Sequence, residues 1–473
     1  MKKRIKIEIG QAVLLIILPL LTLGQGQPQE RIQKSYSDYV NRTLQEKIFV
    51  HLDRPLYVVG ETLWFKAYCV EGTSHHALDV SKVGYLDVLD KEGNPVAQTK
   101  IALTDGQGEG NLLLPATLSS GTYTVRGYTN WMKNFSPDYY FEAPITVLNP
   151  FVAGMSQPVA SQQTPAYDVQ FFPEGGALVG QLENRVAFRA VDSNGKGIDF
   201  KGALIDQQND TLLRFQPVRF GMGSFVFKPA DEGKYRAVIQ DAAGKTATYP
   251  LPAAQKQGYA IQVQDSGEQK LKITVLARTG NNAPDGLYLL AHTGLGAAHT
   301  DRGTLQNGKA EFLVDKGTLG DGITHFTIFD QNARPVGERL YFKRPARSVE
   351  ITALPDKREY TTREKVHLDL TAQVTGAAPV TLSTSVFLLD SLPVSDQPTI
   401  DSYLLLTSDL KGTVESPASY FRQTDAKAAE ALDLVMLTHG WSRFRWEEMD
   451  TPPSRCTCQN TGDILSREKY SIY

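Results

Sequence analysis

One segment of this chain is written twice. Asp53-Arg54-Pro55-Leu56-Tyr57-Val58-Val59-Gly60-Glu61-Thr62-Leu63-Trp64-Phe65-Lys66-Ala67 follows the apolar run Ile48-Phe49-Val50-His51-Leu52. A shift of 303 positions (53 to 356) brings Asp356-Lys357-Arg358-Glu359-Tyr360-Thr361-Thr362-Arg363-Glu364-Lys365-Val366-His367-Leu368-Asp369-Leu370 onto it without a gap at the Asp, basic, Tyr, Glu and apolar positions. Self-similarity at long spacing marks an array of one domain type. The repeated residues are therefore read as builders of a domain, not as a catalytic set.

From Lys47 onward the texture is short alternating segments separated by turn residues such as Lys91-Glu92-Gly93-Asn94-Pro95 and Asp192-Ser193-Asn194-Gly195-Lys196-Gly197. Strands of this length and spacing predict β-sandwiches and not an α/β sheet. The repeat has two readable halves. The opening half, Glu-x-apolar-x-Phe/Leu, stands at Glu61–Phe65 and Glu364–Leu368 and more loosely at Glu183–Phe188. The closing half is an apolar strand followed by Gly-x-Tyr, at Leu112-Leu113-Leu114 with Gly121-Thr122-Tyr123, and at Phe225-Val226-Phe227 with Gly233-Lys234-Tyr235. Ala310–Val314 with His325–Phe329 is a degenerate third.

Linkers at 151–166, 252–258 and 344–348 then divide the chain. The reading is an all-β fold of tandem sandwiches over 47–150, 166–251 and 258–344, with an incomplete one over 346–420. A chain of 473 residues is too long for one core, and about 3–4 domains is the expectation. Two helices frame the array. Ile32, Tyr36, Tyr39, Val40 and Leu44 put an apolar face on a short helical lead-in over 27–46. Ala428, Leu432, Val435 and Met436 form a stripe on a second helix, capped by Asp425 and ended by Gly440, within a 421–446 unit. That unit closes on Trp441, Arg443, Phe444, Arg445 and Trp446, residue types that dominate interface hot spots. They read equally as an interaction surface or as a seal onto further sequence. The stretch 450–473 has no periodicity and holds Cys456 and Cys458. It is read as a non-native tail on a truncated chain.

The first 26 residues carry Lys2, Lys3, Arg4 and Lys6 ahead of an apolar run from Ala12 to Leu23, then small residues. This is the pattern of a secretory signal peptide, cleaved after Gly24 or Gly26 and too short to span a membrane. An exported protein in the periplasm or at the outer-membrane surface is expected, with no transmembrane helix in the mature chain. A net charge of −3 without a basic face argues against nucleic acid as a partner.

Asp53, Arg54, Pro55, Tyr57, Gly60, Glu61 and Phe65 resemble the signature of the MG2-type domains of the alpha-2-macroglobulin family, with Val59 replacing its second proline. Trp64-Phe65-Lys66-Ala67-Tyr68 and Phe172-Pro173-Glu174-Gly175-Gly176 are similar to envelope proteins of Bacteroidetes-type bacteria, in which macroglobulin-like domains precede a TonB-receptor plug domain. The resemblance implies macroglobulin-like (immunoglobulin- or fibronectin-like) sandwiches. It implies a non-enzymatic scaffold with protein partners in the bacterial envelope, linked to TonB-dependent uptake. Two alternatives stay open: an endopeptidase inhibitor of macroglobulin type, and a polysaccharide-binding module. The family's Cys-Gly-Glu-Gln thioester is missing, since Cys69 is followed by Val70-Glu71-Gly72.

No residue is assigned as catalytic, cofactor-binding or metal-ligating, and no cofactor is expected. The chain has no Gly-x-Ser-x-Gly elbow, P-loop or His-Glu-x-x-His helix. His75, His76 and Asp79 lack a fourth ligand and read as a solvated loop. Asp105-Gly106-Gln107-Gly108-Glu109-Gly110 lacks the alternation of a calcium loop and reads as a hairpin turn. Cys69 reads as a small buried hydrophobe. Tyr57, Trp64 and Tyr68 are expected to fill sandwich cores, with a glycan or peptide platform as the alternative. Glu61 and Glu364 are expected to bond nearby backbone amides, and Asp53 to pair with Arg54. Asn41, Asn134 and Asn209 stand in glycosylation sequons read as chance matches.

Overall fold

A computed structural model of the chain describes residues 28–151, 167–280, 286–296, 299–346, 349–373, 380–388, 397–423 and 425–440. The signal peptide, the Trp441–Trp446 cluster, Cys456, Cys458 and the tail lie outside them. The described residues form an all-β array of tandem sandwiches with a few helices.

The first sandwich contains β1 (Glu46–Leu52), β2 (Leu56–Val58), β3 (Thr62–Glu71), β4 (Val83–Leu89), β5 (Pro95–Ala102), β6 (Gln107–Leu113), β7 (Gly121–Thr129) and β8 (Phe141–Leu148). A three-stranded sheet β1-β3-β6 faces a five-stranded sheet β2-β8-β7-β4-β5. Period-2 alternation does the sorting. Phe141, Ala143, Ile145 and Val147 of β8 point inward and meet Ile48, Val50, Phe65 and Ala67 from the opposite sheet. Asp105 and Gly106, with φ of 51° and 72°, make the two-residue turn between β5 and β6. Both central residues of such a turn need positive φ, which Asp-Gly tolerates. A Cβ on Gly106 would meet the Cys69 carbonyl at 2.6 Å.

The second sandwich is built from β9 (Asp168–Pro173), β10 (Asn184–Val191), β11 (Phe200–Ile205), β12 (Thr211–Phe215), β13 (Met222–Phe227), β14 (Arg236–Asp241) and β15 (Thr246–Pro250). Its sheets run β13-β10-β9 and β12-β11-β14-β15 around a cluster of Phe171, Phe188, Phe200, Phe215, Phe225 and Phe227. The third repeats the plan with β16 (Gly258–Asp265), β17 (Lys270–Arg278), β18 (Gly286–Thr293), β19 (His299–Thr304), β20 (Lys309–Asp315), β21 (Gly322–Phe329) and β22 (Pro335–Lys343), in sheets β16-β17-β20 and β19-β18-β21-β22.

Past Arg344, β23 (Glu350–Pro355) and β24 (Leu368–Gln373) pair as a hairpin. Shifted by 303, Ile351 and Leu370 fall on Ile48 and Ala67, which are 0% exposed, yet they are 56% and 42% exposed. The hairpin has the inward-facing pattern of a sandwich sheet, and among the described residues no sheet covers it. Residues 400–420, expected within the incomplete β unit, instead hold helix α2 (Ile400–Leu405) and the start of α3 (Ser419–Arg422) among their described elements.

The N-terminal helix α1 (Pro28–Arg42) does not lie on the sandwich that follows it. Ile32 and Tyr36 bury their stripe against Tyr288, Leu290 and Phe329 of the third sandwich. The Tyr36 hydroxyl donates to the carbonyls of Gly294 and Gly296. Thr73 of the first sandwich also accepts the Leu295 amide at 2.9 Å. The first and third sandwiches therefore touch, unlike a linear array in which each domain meets only its chain neighbours.

Helix α4 (Ala426–Thr438) starts as its sequence predicts, with the Asp425 carboxylate accepting the Ala428 amide at 2.8 Å. Its packing is tertiary. Leu406, Leu410, Tyr420, Leu432, Val435 and Met436 join Ala187 and Met222 of the second sandwich and Ile323, Leu340 and Phe342 of the third in one core. Tyr403 and Leu404 of α2 enter the core of the first, where the Tyr403 ring lies 5.2 Å from Phe141 and 5.9 Å from Phe49. Residues 399–439 thus form a clasp that reaches all three sandwiches.

Candidate functional site

The duplicated motif is a local staple. The Asp53 carboxylate accepts the Tyr57 hydroxyl at 2.6 Å and the Trp64 amide at 2.9 Å, while the Asp53 amide donates to the Trp64 carbonyl. The Glu61 carboxylate accepts the Val58 amide at 2.7 Å, and the Arg54 guanidinium stacks over Tyr57 while pairing with Glu61 at 3.2 Å. The second copy repeats each contact. Asp356 accepts the Tyr360 hydroxyl at 2.5 Å and the His367 amide at 3.2 Å, Glu364 accepts the Thr361 amide at 2.8 Å, and Lys357 pairs with Glu364. Arg54 also lies 3.5 Å from Asp53. Burial, then the Asp53 hydrogen bond, pushes the Tyr57 phenol up, so it stays a neutral donor. These groups hold the loop between the first and third strands and leave no free acid or base. Tyr57→Phe removes one of the two donors to a half-buried Asp53 oxygen and is expected to cost about 1 kcal/mol, measured by urea unfolding.

Trp64 departs from the expectation that it fills the core. Leu63 and Phe65 on either side are buried, so the period of two turns Trp64 to the outer face, 56% exposed. Tyr57 is fully buried, and Tyr68 is half-buried with its hydroxyl donating to Ser383 at 2.8 Å. Trp64 lines a cleft of about 460 Å³ with His51, Lys66, Glu109, Asn111 and Ser385.

A second cleft, of about 680 Å³, opens where the second and third sandwiches meet α4, between Phe172, Gly176, Pro252, Leu340 and Met436. An ion network closes its floor. Glu174 follows β9 and is aimed at the third sandwich by a turn in which Gly175 and Gly176 take φ of 86° and 96°. The Arg339 Nε donates to Glu174 at 2.8 Å and its Nη2 to Asp433 at 2.5 Å. Arg185 reaches the other Asp433 oxygen at 2.7 Å. The side chains of Glu174 and Arg339 are each 2% exposed, whereas that of Asp433 keeps 32%. Burial alone would raise the Asp433 carboxyl, but Arg339 and Arg185 outweigh it and hold it below the usual range. Burial likewise opposes the Arg339 charge, and the two carboxylates reverse that. Sequence reading found the Phe172–Gly176 motif but missed Arg339 and Asp433. One signal was available: a lone arginine in the strand Glu338-Arg339-Leu340-Tyr341-Phe342.

The histidines are spread through the array. His292 and His325 stack at 4.7 Å and 7°, with the Tyr36 ring 4.8 Å from His292. His325 Nδ1 lies 2.8 Å from Glu338. His75 sits beside Lys47, whose ammonium meets Asp409 of the clasp at 2.9 Å. Burial, then Lys47, pushes His75 down to about 4. Asp79 pairs with Lys82 and not with His75 or His76. Among the described residues no three His, Cys, Asp or Glu side chains gather as a metal site. Cys69 is buried, and burial, then Glu46, raises its thiol. It is expected to stay unlabelled by maleimide in the native protein and to react fully in urea, as mass spectrometry will show.

No protein-family model and no curated protein matches the sequence. Solved structures do. Methylamine-reacted Salmonella alpha-2-macroglobulin is 12% identical over 68% of this chain and 25% of its own, with a TM-score of 0.19. Native E. coli alpha-2-macroglobulin is 12% identical over 67% and 24%, TM-score 0.19. The FN1–FN3 domains of chicken CNTN1 are 10% identical over 63% and 98%, TM-score 0.17. The chain spans about a quarter of the length of the two macroglobulins. Among the described residues, no helix is long and apolar enough to cross a membrane.

Proposed function

We propose that this chain is a non-enzymatic, exported scaffold of macroglobulin-like sandwiches that presents binding surfaces to protein partners beside the outer membrane. The observation that carries the reading is the clasp. Residues 399–439 place Tyr403 and Leu404 in the core of the first sandwich and build a separate apolar core against residues of the second and third, and α1 ties the first to the third. Interfaces of this apolar kind oppose the domain motion expected of tandem modules, so the array holds its surfaces at set distances. Charged groups in the junctions are spent on one another, as with Arg339 and Asp433. A link to TonB-dependent uptake rests on the motif resemblance around Trp64 and Phe172.

Small-angle scattering of the full chain tests the scaffold: one compact body is expected, and a profile of independently moving beads sinks it. A panel of endopeptidases addresses the rival class, because stoichiometric inhibition of any of them would favour a macroglobulin-type inhibitor. Recovery in the outer-membrane fraction of source cells is the expected location, and crosslinking there to a TonB-dependent receptor is the expected partnership.

A further inference from the structure

The staple around Asp53 uses only the main chain of Trp64. Its amide donates to the Asp53 carboxylate and its carbonyl accepts the Asp53 amide. In the second copy His367 makes the same two backbone contacts with Asp356. The fold therefore does not call for an indole at this position, and the indole is largely in water.

Its surroundings are ordered by strand register. Trp64 lies beside Asp53 on one side and pairs with Asn111 on the other, while the next outward row is His51, Lys66 and Glu109. The two rows are roughly 7 Å apart, two residues of strand rise. The inward row between them, Leu52, Phe65 and Gly110, belongs to the core side. One end of this trough has a wall. Ser383 bonds His51 at 2.6 Å and Tyr68 at 2.8 Å, and Thr381 accepts from Gln107 at 3.2 Å. The other end, over Trp64, is open among the described residues.

We infer that this trough binds an oligosaccharide segment of a pyranose polysaccharide, with one ring stacked on Trp64. A pyranose has an apolar face of C–H groups and a rim of hydroxyls. An exposed indole offers the first a flat apolar surface. Asn111, Glu109 and Lys66 offer the rim an amide, a carboxylate and an ammonium, so each hydroxyl finds an acceptor or a donor. An extended peptide fits less well, because within the cleft the outward groups are polar apart from the indole, and the exposed Leu113 lies one row further along, outside the cleft lining. The inference does not depend on the scaffold reading, since it needs only the first sandwich and residues 381–385.

Affinity electrophoresis of the full chain through gels cast with a panel of soluble glucans, mannans, xylans, galactans and chitosan tests it. Retardation by at least one polysaccharide is expected. Trp64→Ala is expected to weaken it roughly tenfold or more, from loss of the apolar surface the sugar covers. Trp64→His, which installs the residue of the second copy, should fold normally and bind as weakly. Asn111→Ala is expected to weaken binding to a smaller extent. Thermal unfolding unchanged in Trp64→His separates a lost site from a lost fold. Free migration through every polysaccharide overturns the proposal, and so does retardation that both Trp64 variants retain.

Discussion

Arg339→Met is expected to destabilise the protein by about 3–5 kcal/mol in urea titration. The substitution keeps volume and removes the guanidinium. Glu174 is then left charged with its side chain 2% exposed, and Asp433 retains only Arg185 at 2.7 Å. Taking a carboxylate out of water without a counterion costs more than the loss of one hydrogen bond. The loss is also specific in place. Glu174 belongs to the second sandwich, Arg339 to the third and Asp433 to α4, so the three units should separate at lower urea than each unfolds. The double variant Glu174→Leu, Arg339→Met, which keeps the Arg185–Asp433 pair, is expected to recover much of the loss, because an apolar pair of similar volume replaces a desolvated ion pair at little net cost. A single variant as stable as the parent would mean that water reaches Glu174 and screens it.

Acidification from pH 7 to 5 is expected to destabilise the array steadily, and three histidines, His75, His292 and His439, set the sign. Burial, then the neighbouring His325, holds His292 well below its ordinary value, with the Gly294 carbonyl opposing. Burial, then Arg189, pushes His439 down to about 4. A histidine whose folded value is depressed binds its proton more readily when unfolded. Its contribution is therefore complete above about pH 6.5, declines as pH falls below that, and stops declining at the folded value. Each site adds a slope approaching about 1.4 kcal/mol per pH unit in that window, so His292 and His439, with His75 depressed in the same way, approach about 4 kcal/mol per unit together. Glu46, whose carboxyl burial raises, opposes this at the lower end, because the folded state binds its proton first. Around His292 the facing groups are Tyr36 from α1, His325 from β21 and, through His325, Glu338 from β22. Release of α1 should therefore come early in the acid transition. Urea unfolding at half-unit pH steps measures the slope, and His292→Leu should remove about a third of it. A flat profile between pH 6.5 and 5 would show that none of these rings titrates differently on unfolding.

Much of this architecture was legible because it is encoded locally. Strand alternation assigns Leu63, Phe65, Ala67 and Cys69 to one face, and the buried positions follow it. The same alternation, applied strictly, turns Trp64 outward. The expectation of a buried indole weighed the apolar character of tryptophan over its parity in the strand, and parity prevailed because its neighbours Leu63 and Phe65 were already committed inward. Asp105-Gly106 declares its turn through backbone conformation alone. The Asp53 staple was legible through its copy, since two segments 303 residues apart retain only what the loop requires.

What the sequence determined by itself is what neighbouring residues decide: the strands, their faces, the turns, the cap of α4 and the staple. The tertiary structure alone decided which sandwich α1 covers, that 399–439 forms a clasp, and that Glu174 meets Arg339 across 165 positions while Arg339 meets Asp433 across 94. The physical reason is that a charge destined for burial has the same side chain as one left in water. Only the chain's return to the same point in space makes one into the counterion of the other.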